Sequence, residues 1–472
     1  MTRLPRASFL FLLLLAAVSA SIFPEPAFAR DEIVLGVATS LGTLEGRESH
    51  MAVQLAAEEI NRAGGVRVGG RRLDIRVAAV DLEDAYPATP MDEILQRLER
   101  FLTREPVDAV VVGFFRSEAL LAGMDLIARH GVPLLGTIAM SPASEAKILQ
   151  SPAYRSVFRL CLNSRYLVEY LIQTMKFLRE RFDVGRVYIL NQDVAWTRTT
   201  VSLMIKLYFE QAGWEVLGLD IYPTGASDFT RSLEEAHRLE ADVILPIFDM
   251  PESGALVRQW NRMGSRALPC GFISPLGGPG AWEAFQGGIA GALNVIFELG
   301  NVPTQAYGPA ERFYNAFKSR YGKEIEASHG PAPAYESVYV LTEAVERAGT
   351  LELDRVVEAL ERTDRQGAMG RIRFHRSHQV IFGEDPSEEA LACVIQWTAQ
   401  GERRVVYPPS IAEGEIELPG LFSPPEEALA SPANSTIAQF RFMETPGNSR
   451  CVTIGNSFDA GLEPTIHGAL QP

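Results

Sequence analysis

Residues 33–80 have the sequence IVLGVATSLGTLEGRESHMAVQLAAEEINRAGGVRVGGRRLDIRVAAV, and this stretch decides the fold. It begins with a short apolar run at 33–37, which predicts a buried strand. Apolar residues at helical spacing follow over 48–62, and Gly64-Gly65 predicts the end of that helix. The alternating segment 73–80 predicts a second strand. A strand, a helix and a second strand in this order are typical of a βαβ unit with parallel strands.

The same alternation continues along the chain and then restarts after Phe158-Arg159-Leu160. Before the restart the pattern predicts helices at 92–103 and 117–129 and strands at 109–113 and 133–136. After it, the pattern predicts strands at 187–190, 215–222, 243–247, 270–273 and 293–297. It predicts helices at 165–181, 200–212, 230–239, 252–263, 310–321 and 333–348. A closing hairpin is predicted at 391–400 and 405–407. The expected fold class is therefore α/β, with two doubly wound lobes whose parallel sheets are covered on both faces.

Composition and charge exclude some classes of function. Hydrophobic residues make up 47% of the 472 residues and charged residues 22%, which are globular values. The formal net charge is −15, whereas nucleic-acid binding calls for a basic face. We therefore expect neither a nucleic-acid partner nor electrostatic attachment to an anionic membrane.

The two ends of the chain differ from the rest. Arg3 and Arg6 precede an apolar run at 9–20, and Ala27-Phe28-Ala29 provides a small-x-small cleavage site. This pattern predicts a signal peptide over 1–29 and a periplasmic protein; the alternative, an uncleaved anchor, is disfavoured because the apolar run is short for a membrane span. Residues 420–472 are rich in Pro, Ser, Gly, Glu and Ala, and they predict a flexible C-terminal tail.

Motifs of catalysis and metal binding were sought and not found. The sequence has no GxSxG, Walker loop or HExxH, so we expect a non-enzymatic protein without a cofactor. His375 and His378 lie near Asp385, but a solvated loop is expected there rather than a metal site, since no complete ligand set is visible. The cysteines at 161, 270, 393 and 451 form no CxxC motif, and both a disulfide and buried free thiols are compatible with their spacing.

Several short motifs occur in a familiar order. They are the strand 33–37, the AAEEINRAGG helix end at 56–65, Val111-Val112-Gly113 followed by Ser117, Tyr222-Pro223 with Asp228-Phe229, Val257-Arg258-Gln259 with Met263-Gly264, and VVYPP at 405–409. Together they resemble the periplasmic branched-chain amino-acid binding protein family, the type I two-lobed solute receptors, over residues 31–419.

The resemblance implies a three-crossover hinge, with ligand captured in the cleft between the lobes. It places the first lobe at 30–158 plus 299–371 and the second lobe at 159–298 plus 372–419. It also implies a monomer that closes on a small molecule and delivers it to an ABC-type membrane permease. The alternative is a ligand-sensing or accessory protein of a signalling or dehydrogenase system, because one fold can serve several functions.

Ligands of open α/β sheets bind beyond the carboxyl ends of the strands, and two candidate loops of the first lobe follow such ends. Ser117 follows strand 109–113, next to Phe115, and exposed N–H groups at the start of the following helix favour a carboxylate. The family's matching serine binds the ligand carboxylate, and the alternative is that Ser117 only caps the helix. In the loop 137–141, Ala139 matches the alanine whose carbonyl holds an amino-acid ligand. Met140 replaces the family's threonine, so Ser141 or Thr137 would have to substitute, because a thioether is a poor hydrogen-bond partner.

The remaining candidates are Trp196, Phe248, Asp249 and Glu45. The family has an aromatic residue that covers the ligand at the position of Trp196, although lobe packing is the alternative. Asp249 is a candidate for gripping an amine or a hydroxyl, or it is a turn residue. Glu45 stands where relatives have a cleft aromatic, and its alternative is a solvated carboxylate.

Two residues with which the family binds an amino-acid ligand are thus missing, the threonine and a glutamate. The sequence has Ser274-Pro275-Leu276 where that glutamate would stand. Burying an unpaired ammonium costs several kcal/mol. Either Asp249 or Glu45 replaces the glutamate, or the ligand is not an ordinary α-amino acid. In the second case we expect Phe114, Phe115, Trp196 and Phe248 to line an apolar pocket for an apolar or aromatic carboxylate.

Overall fold

The structure is a computed structural model that describes residues 32–420. The predicted signal peptide and nearly all of the predicted tail lie outside the described residues. No helix within the described range is long and apolar enough to cross a membrane.

A six-stranded sheet forms the centre of the first lobe. Its strands are β1 (Glu32–Thr39), β2 (Val66–Val68), β3 (Arg71–Asp81), β4 (Ala109–Val112), β5 (Leu134–Gly136) and β6 (Val157–Arg159). They lie in the order β2-β3-β1-β4-β5-β6, and all neighbours are parallel except β2 and β3. The helices between them are α1 (Leu44–Arg62), α2 (Met91–Arg104), α3 (Ser117–His130) and α4 (Ala143–Gln150).

A seven-stranded sheet forms the centre of the second lobe. Its first five strands are β7 (Arg186–Gln192), β8 (Glu215–Tyr222), β9 (Val243–Phe248), β10 (Leu268–Ile273) and β11 (Leu293–Ile296). The accompanying helices are α5 (Ser164–Phe182), α6 (Ala195–Met204), α7 (Thr230–Arg238), α8 (Gly254–Met263) and α9 (Gly280–Ala284). Near the end of the described range, β14 (Cys393–Trp397) and β15 (Arg403–Tyr407) add an antiparallel hairpin to β11.

The chain between β11 and β14 packs mostly on the first lobe. It contains α10 (Gly308–Tyr321), α11 (Pro331–Ala348), α12 (Leu353–Leu360) and the small hairpin of β12 (Arg365–Gly367) and β13 (Gly370–Ile372). Helix α11 lies against α1, β2 and β4, so it covers the same face of the first sheet as α1.

Three segments connect the two sheets: the first crossing follows β6, the second follows β11, and the third leads back to β14. The first and third are hydrogen bonded, since the Arg159 N–H donates to the His378 carbonyl over 2.8 Å. The second and third are joined by the Leu299 N–H, which donates to the Leu391 carbonyl over 2.9 Å. The predicted fold class, two doubly wound lobes with a three-crossover hinge, is confirmed; the lobe boundaries stay a prediction.

Differences from the predicted elements have local causes. Helix α6 begins at Ala195, five residues before the predicted start at 200, because Thr197 donates to the Val194 carbonyl over 2.9 Å and supports the first turn. The N-cap of α3 is Arg116, so the capping role considered for Ser117 is wrong. The short elements β2, β6, α9, β12 and β13 have too few residues to show a period, and α4 is not predicted either. Helix α12 does carry apolar residues at helical spacing, Leu353, Val356, Val357 and Leu360, and its omission from the predicted elements was an error.

The structure also bears on the cysteines and on the histidine pair. Cys161, Cys270 and Cys393 are buried free thiols, and Cys451 lies outside the described residues. His378 stacks on Phe158 with the ring centroids 4.0 Å apart, so it packs within the hinge. Within residues 32–420 no group of three or more His, Cys, Asp or Glu side chains forms a metal-ligand cluster.

Candidate functional site

The first sequence-predicted pair lies at the carboxyl ends of β7 and β9. Trp196 is the second residue of α6, and its indole Nε1–H donates to Asp249 Oδ2 over 2.8 Å. The loop that carries Asp249 is fixed by Gln192, whose Oε1 accepts the N–H groups of Asp249 at 3.0 Å and Met250 at 3.1 Å. The structure therefore brings Trp196 and Asp249 together, with Asp249 exposed and one of its oxygens not used by the indole.

A row of aromatic rings continues from Trp196 toward the first lobe. Trp196 meets the edge of Phe272 at a centroid distance of 6.0 Å, Phe272 stacks on Phe297 at 4.5 Å, and Phe297 meets the His329 ring at 5.0 Å. His329 contacts the carbonyl of Ile138, its Nε2 lying 2.7 Å from that oxygen. Ile138 belongs to the loop 137–141, which we call the ligand loop. The row thus links the strand ends of the second lobe to the ligand loop of the first.

Glu45 reaches the same region from the first turn of α1. Thr43 caps this helix, its Oγ1 accepting the Gly46 N–H over 3.1 Å. Burial raises the pKa of Glu45, a backbone hydrogen bond and the charge of His329 lower it, and the charges of Glu48 and Asp249 raise it, so the pKa is raised overall. The side chain keeps partial solvent access although protein surrounds it, as expected of a group lining a cleft. Glu45 and Asp249 come from opposite lobes and repel one another.

The N–H groups predicted to receive a ligand carboxylate are occupied by a side chain of the protein. Asp84 Oδ2 accepts the N–H groups of Phe115 at 2.7 Å and Arg116 at 3.2 Å, and Asp84 Oδ1 accepts the Ser40 hydroxyl at 2.9 Å. Burial raises the pKa of Asp84. The expectation of free N–H groups there is therefore wrong for these two residues. Ser117 itself lies half-buried at the start of α3, and its hydroxyl is not engaged in capping.

The two hydroxyl groups of the ligand loop differ in their hydrogen bonding. Ser141 Oγ accepts the Ala143 N–H over 3.2 Å at the start of α4. The Ala139 carbonyl accepts only the Cys161 thiol, at 3.5 Å, which is a weak hydrogen bond. Within residues 32–420, Thr137 Oγ1 is buried without a hydrogen-bond partner, as is Ser49 Oγ one turn after Glu45. Of the two residues suggested to replace the missing threonine, Thr137 therefore has the free hydroxyl.

Two aromatic residues expected to line the pocket lie in the lobe cores instead. Phe248 is 0% exposed, with its ring centroid 5.5 Å from that of Phe229 and 6.3 Å from that of Tyr222. Phe114 is 2% exposed and packs against Gly123. These side chains point toward helices of their own lobes, so they do not line the cleft. Phe115 is half-buried.

Sequence reasoning missed one residue of this region, His329. The sequence around His329 does not indicate a functional residue, because a lone histidine before Gly330 and the proline-rich start of α11 matches no motif. Gly330 has φ +104°, and a Cβ there would lie 2.6 Å from Ser49 Oγ and 3.6 Å from the Glu45 carbonyl oxygen. This close approach brings the start of α11 against the first turns of α1.

The comparisons with known proteins show the family of the chain. The chain matches the model of the periplasmic binding protein family over residues 34–383. It is 25% identical over 390 residues to the Leu/Ile/Val-binding protein homolog 7 of Brucella suis, which covers 80% of this chain and 90% of that protein.

Two solved structures show the fold. A putative branched-chain amino acid ABC transporter from Silicibacter pomeroyi has a TM-score of 0.71 at 18% identity, covering 83% of this chain and 100% of that chain. A solute-binding protein from R. palustris in complex with benzoate has a TM-score of 0.60 at 14% identity, covering 82% and 99%.

Two lobes, three connecting segments and a cleft lined from both lobes define the class of solute-binding receptors. This chain belongs to the periplasmic binding protein family, and the predicted resemblance is confirmed. It is a solute-binding protein, of a class that binds small molecules outside the cytoplasm, and the sensor or accessory alternative is not favoured.

Proposed function

We propose that the protein captures an amino-acid-like solute and holds its ammonium group between Glu45 and Asp249. The observation that carries the proposal is the position of the two carboxylates: Glu45 is half-buried in the first turn of α1, and Asp249 is exposed after β9 with one oxygen not used by Trp196. The charge of Asp249 is the weakest of the effects that raise the pKa of Glu45. A cation placed between them removes the repulsion and gains attraction to both. The pair therefore supplies the charge that the family's missing glutamate would provide, and it favours closure of the lobes.

The other parts of the solute find partners nearby. The half-buried indole of Trp196 offers an apolar face, fixed by the hydrogen bond from its Nε1–H to Asp249. The Ser117 hydroxyl is our candidate for the solute carboxylate, since Asp84 occupies the adjacent N–H groups. Ala139 and Thr137 complete the first-lobe side, with Ser141 and Phe115 as their immediate surroundings.

We further infer the setting in which this capture takes place. The predicted signal peptide 1–29 supports export to the periplasm, and lobe closure about the three crossings supports delivery of the solute to an ABC-type permease. Binding and closure require no bond to be broken in the solute, so we propose a monomeric, non-enzymatic receptor that uses no cofactor.

A second candidate solute is an aromatic carboxylate. The row of rings from Trp196 to Phe297 favours an aromatic body, and the fold is shared with the benzoate-bound protein of R. palustris. Glu45 and Asp249 argue against it, because a carboxylate lacks the positive group that they would hold.

A thermal-shift screen of residues 30–472 against the common amino acids and benzoate tests the proposal. A solute at a hundredfold excess over its Kd stabilises the folded state by about 2.7 kcal/mol. We expect amino acids to raise the Tm of the wild type, and Glu45→Gln and Asp249→Asn to reduce that rise. Glu240→Gln, at the exposed amino end of β9, is the matched control and should leave it unchanged. A rise with benzoate alone, or an amino-acid rise unaffected by both cleft variants, would overturn the proposal.

A further inference from the structure

His329 makes two contacts that a neutral imidazole cannot satisfy together. It lies just before α11 and is 8% exposed. Its Nδ1 is 2.9 Å from Glu298 Oε1, and its Nε2 is 2.7 Å from the Ile138 carbonyl oxygen. A carboxylate and a carbonyl both accept hydrogen bonds, whereas a neutral imidazole donates through only one nitrogen. Protons on both ring nitrogens would satisfy both contacts to an ionised Glu298 and the Ile138 carbonyl, and such a ring is an imidazolium cation.

Glu298 is the carboxylate that pairs with the His329 ring. It is fully buried on the second crossing and accepts three further hydrogen bonds. They come from the Leu162 N–H at 3.2 Å, the Gly330 N–H at 3.2 Å and Asn301 Nδ2 at 2.9 Å. Leu162 belongs to the first crossing, so Glu298 ties two of the three crossings together. With His329 Nδ1, these groups bring four hydrogen-bond partners to one carboxylate.

We propose that His329 is a positioning residue for solute capture: its buried imidazolium holds the ligand loop against Glu298, where two crossings between the lobes meet. The Ile138 carbonyl is the contact through which the loop is held, and Ala139 follows it directly in the chain. The proposal rests on the proposed function, because the ligand loop and Glu45 are taken as parts of the binding site.

The charged groups around His329 belong to three elements. Glu298 faces it from the second crossing and Glu45 from α1; Glu48, one turn further along α1, pairs with Lys323 at 2.7 Å. Burial lowers the pKa of His329, but the charge and hydrogen bond of Glu298, the Ile138 carbonyl and the charge of Glu45 outweigh it, so the pKa is raised. The Cys161 thiol beside Glu298 stays neutral, since burial raises its pKa to about 12.

His329 also acts on Glu45. Its positive charge lowers the pKa of Glu45 against the effect of burial and so favours the ionised form of that carboxylate. Removal of the charge therefore weakens solute capture in two ways: the ligand loop loses its tie to Glu298, and a larger fraction of Glu45 becomes protonated.

The expected pH dependence of solute affinity follows from the direction in which the pKa of His329 is shifted. A raised pKa means that the His329 contacts are complete below the ordinary histidine pKa and are lost as the pH rises through the value in the folded protein. In the wild type we expect affinity to weaken at alkaline pH through His329 and at acid pH through Glu45. In His329→Gln, which keeps an amide donor without a charge, the alkaline loss should disappear and the acid loss should begin at higher pH.

The test combines two readouts on the full-length mature protein. Ring ¹⁵N NMR without solute should show both His329 nitrogens protonated at pH 7.5, identified by the signals missing from His329→Gln. Isothermal titration with L-leucine and L-phenylalanine from pH 5 to 9 should show roughly tenfold weaker binding in the variant at pH 7, the value of a charged hydrogen bond. The exposed His237→Gln should match the wild type.

Each outcome decides a separate point. A neutral His329 at pH 7.5 overturns the proposal even if the variant fails to fold, since the wild type alone, assigned through its Phe297 contact, gives that answer. Unchanged affinity and pH profile in a folded His329→Gln overturn the positioning role. Protonated ring nitrogens without binding of either amino acid overturn the proposed function, and with it the role in capture, but leave the imidazolium at the hinge established.

Discussion

The indole Nε1–H of Trp196 donates a hydrogen bond to Asp249 Oδ2 over 2.8 Å, which joins the first turn of α6 to the end of β9. This bond sets the orientation of an aromatic face and of a carboxylate at once. Because it is exposed at the cleft, it contributes more to the arrangement of the site than to the stability of the fold.

Trp196→Phe tests this relationship. The variant keeps an aromatic face but loses the donor, so we expect roughly tenfold weaker binding of the best amino acid, with unfolding free energy changed by less than about 1 kcal/mol. Titration calorimetry and urea unfolding measure the two quantities. Trp282→Phe is the matched control: Trp282 stacks on Trp397 outside the cleft, at 6.0 Å, and its change should leave affinity intact.

Glu45→Gln should raise the stability of the solute-free protein and weaken its binding of amino acids. The raised pKa of Glu45 means that its ionisation opposes folding: its contribution to stability is present at low pH and is lost as the pH rises through the folded pKa. We therefore expect the solute-free variant to be more stable than the wild type at pH 8, although it binds amino acids more weakly. Urea unfolding at pH 5 and pH 8 measures this, and equal stability at pH 8 would refute the electrostatic assignment.

Gly330→Ala tests the close approach of the start of α11 to α1. At φ +104° the new Cβ would lie 2.6 Å from Ser49 Oγ, and we expect a loss of roughly 3 kcal/mol or more from strain and displacement together. Gly349→Ala is the matched control, since Gly349 has φ +67° and open space around it, and should cost about 1–2 kcal/mol. Equal losses in urea unfolding would contradict the tight packing inferred at Gly330.

Asp84→Ala tests the carboxylate that occupies the start of α3. The change leaves the Phe115 and Arg116 N–H groups without their acceptor, and we expect a loss of roughly 2–3 kcal/mol in unfolding free energy. Asp92→Ala, an exposed acid in the first turn of α2, should cost less than about 1 kcal/mol. A small effect of Asp84→Ala would mean that water replaces the carboxylate freely.

The sequence was sufficient to predict the fold because its long elements carry clear periods. Strand 33–37, helix 48–62 and the hairpin near 405–407 were all found near their predicted positions. The predicted start of helix α6 lies five residues too late, because the run Thr197, Arg198, Thr199 and Thr200 near its beginning shows no helical period.

The site was less predictable, and particular residues show why. Every residue of β9 (Val243–Phe248) is buried, so the strand has no alternation that would assign Phe248 to the core or to the cleft. Asp84 reaches the Phe115 N–H from 31 positions away, and His329 reaches Ile138 from 191 positions away. Contacts at such separations depend on the tertiary packing of distant elements, which local patterns do not encode.

The most direct test of the central claim compares a solute with and without its ammonium group. Calorimetry should measure the Kd of L-leucine and of 4-methylpentanoate, and of L-phenylalanine and 3-phenylpropanoate, for the wild type at pH 7. If Glu45 and Asp249 hold the ammonium, the amino acids bind and the des-amino acids bind at least a hundredfold more weakly, about 2.7 kcal/mol. Equal or tighter binding of the des-amino acids would contradict the account.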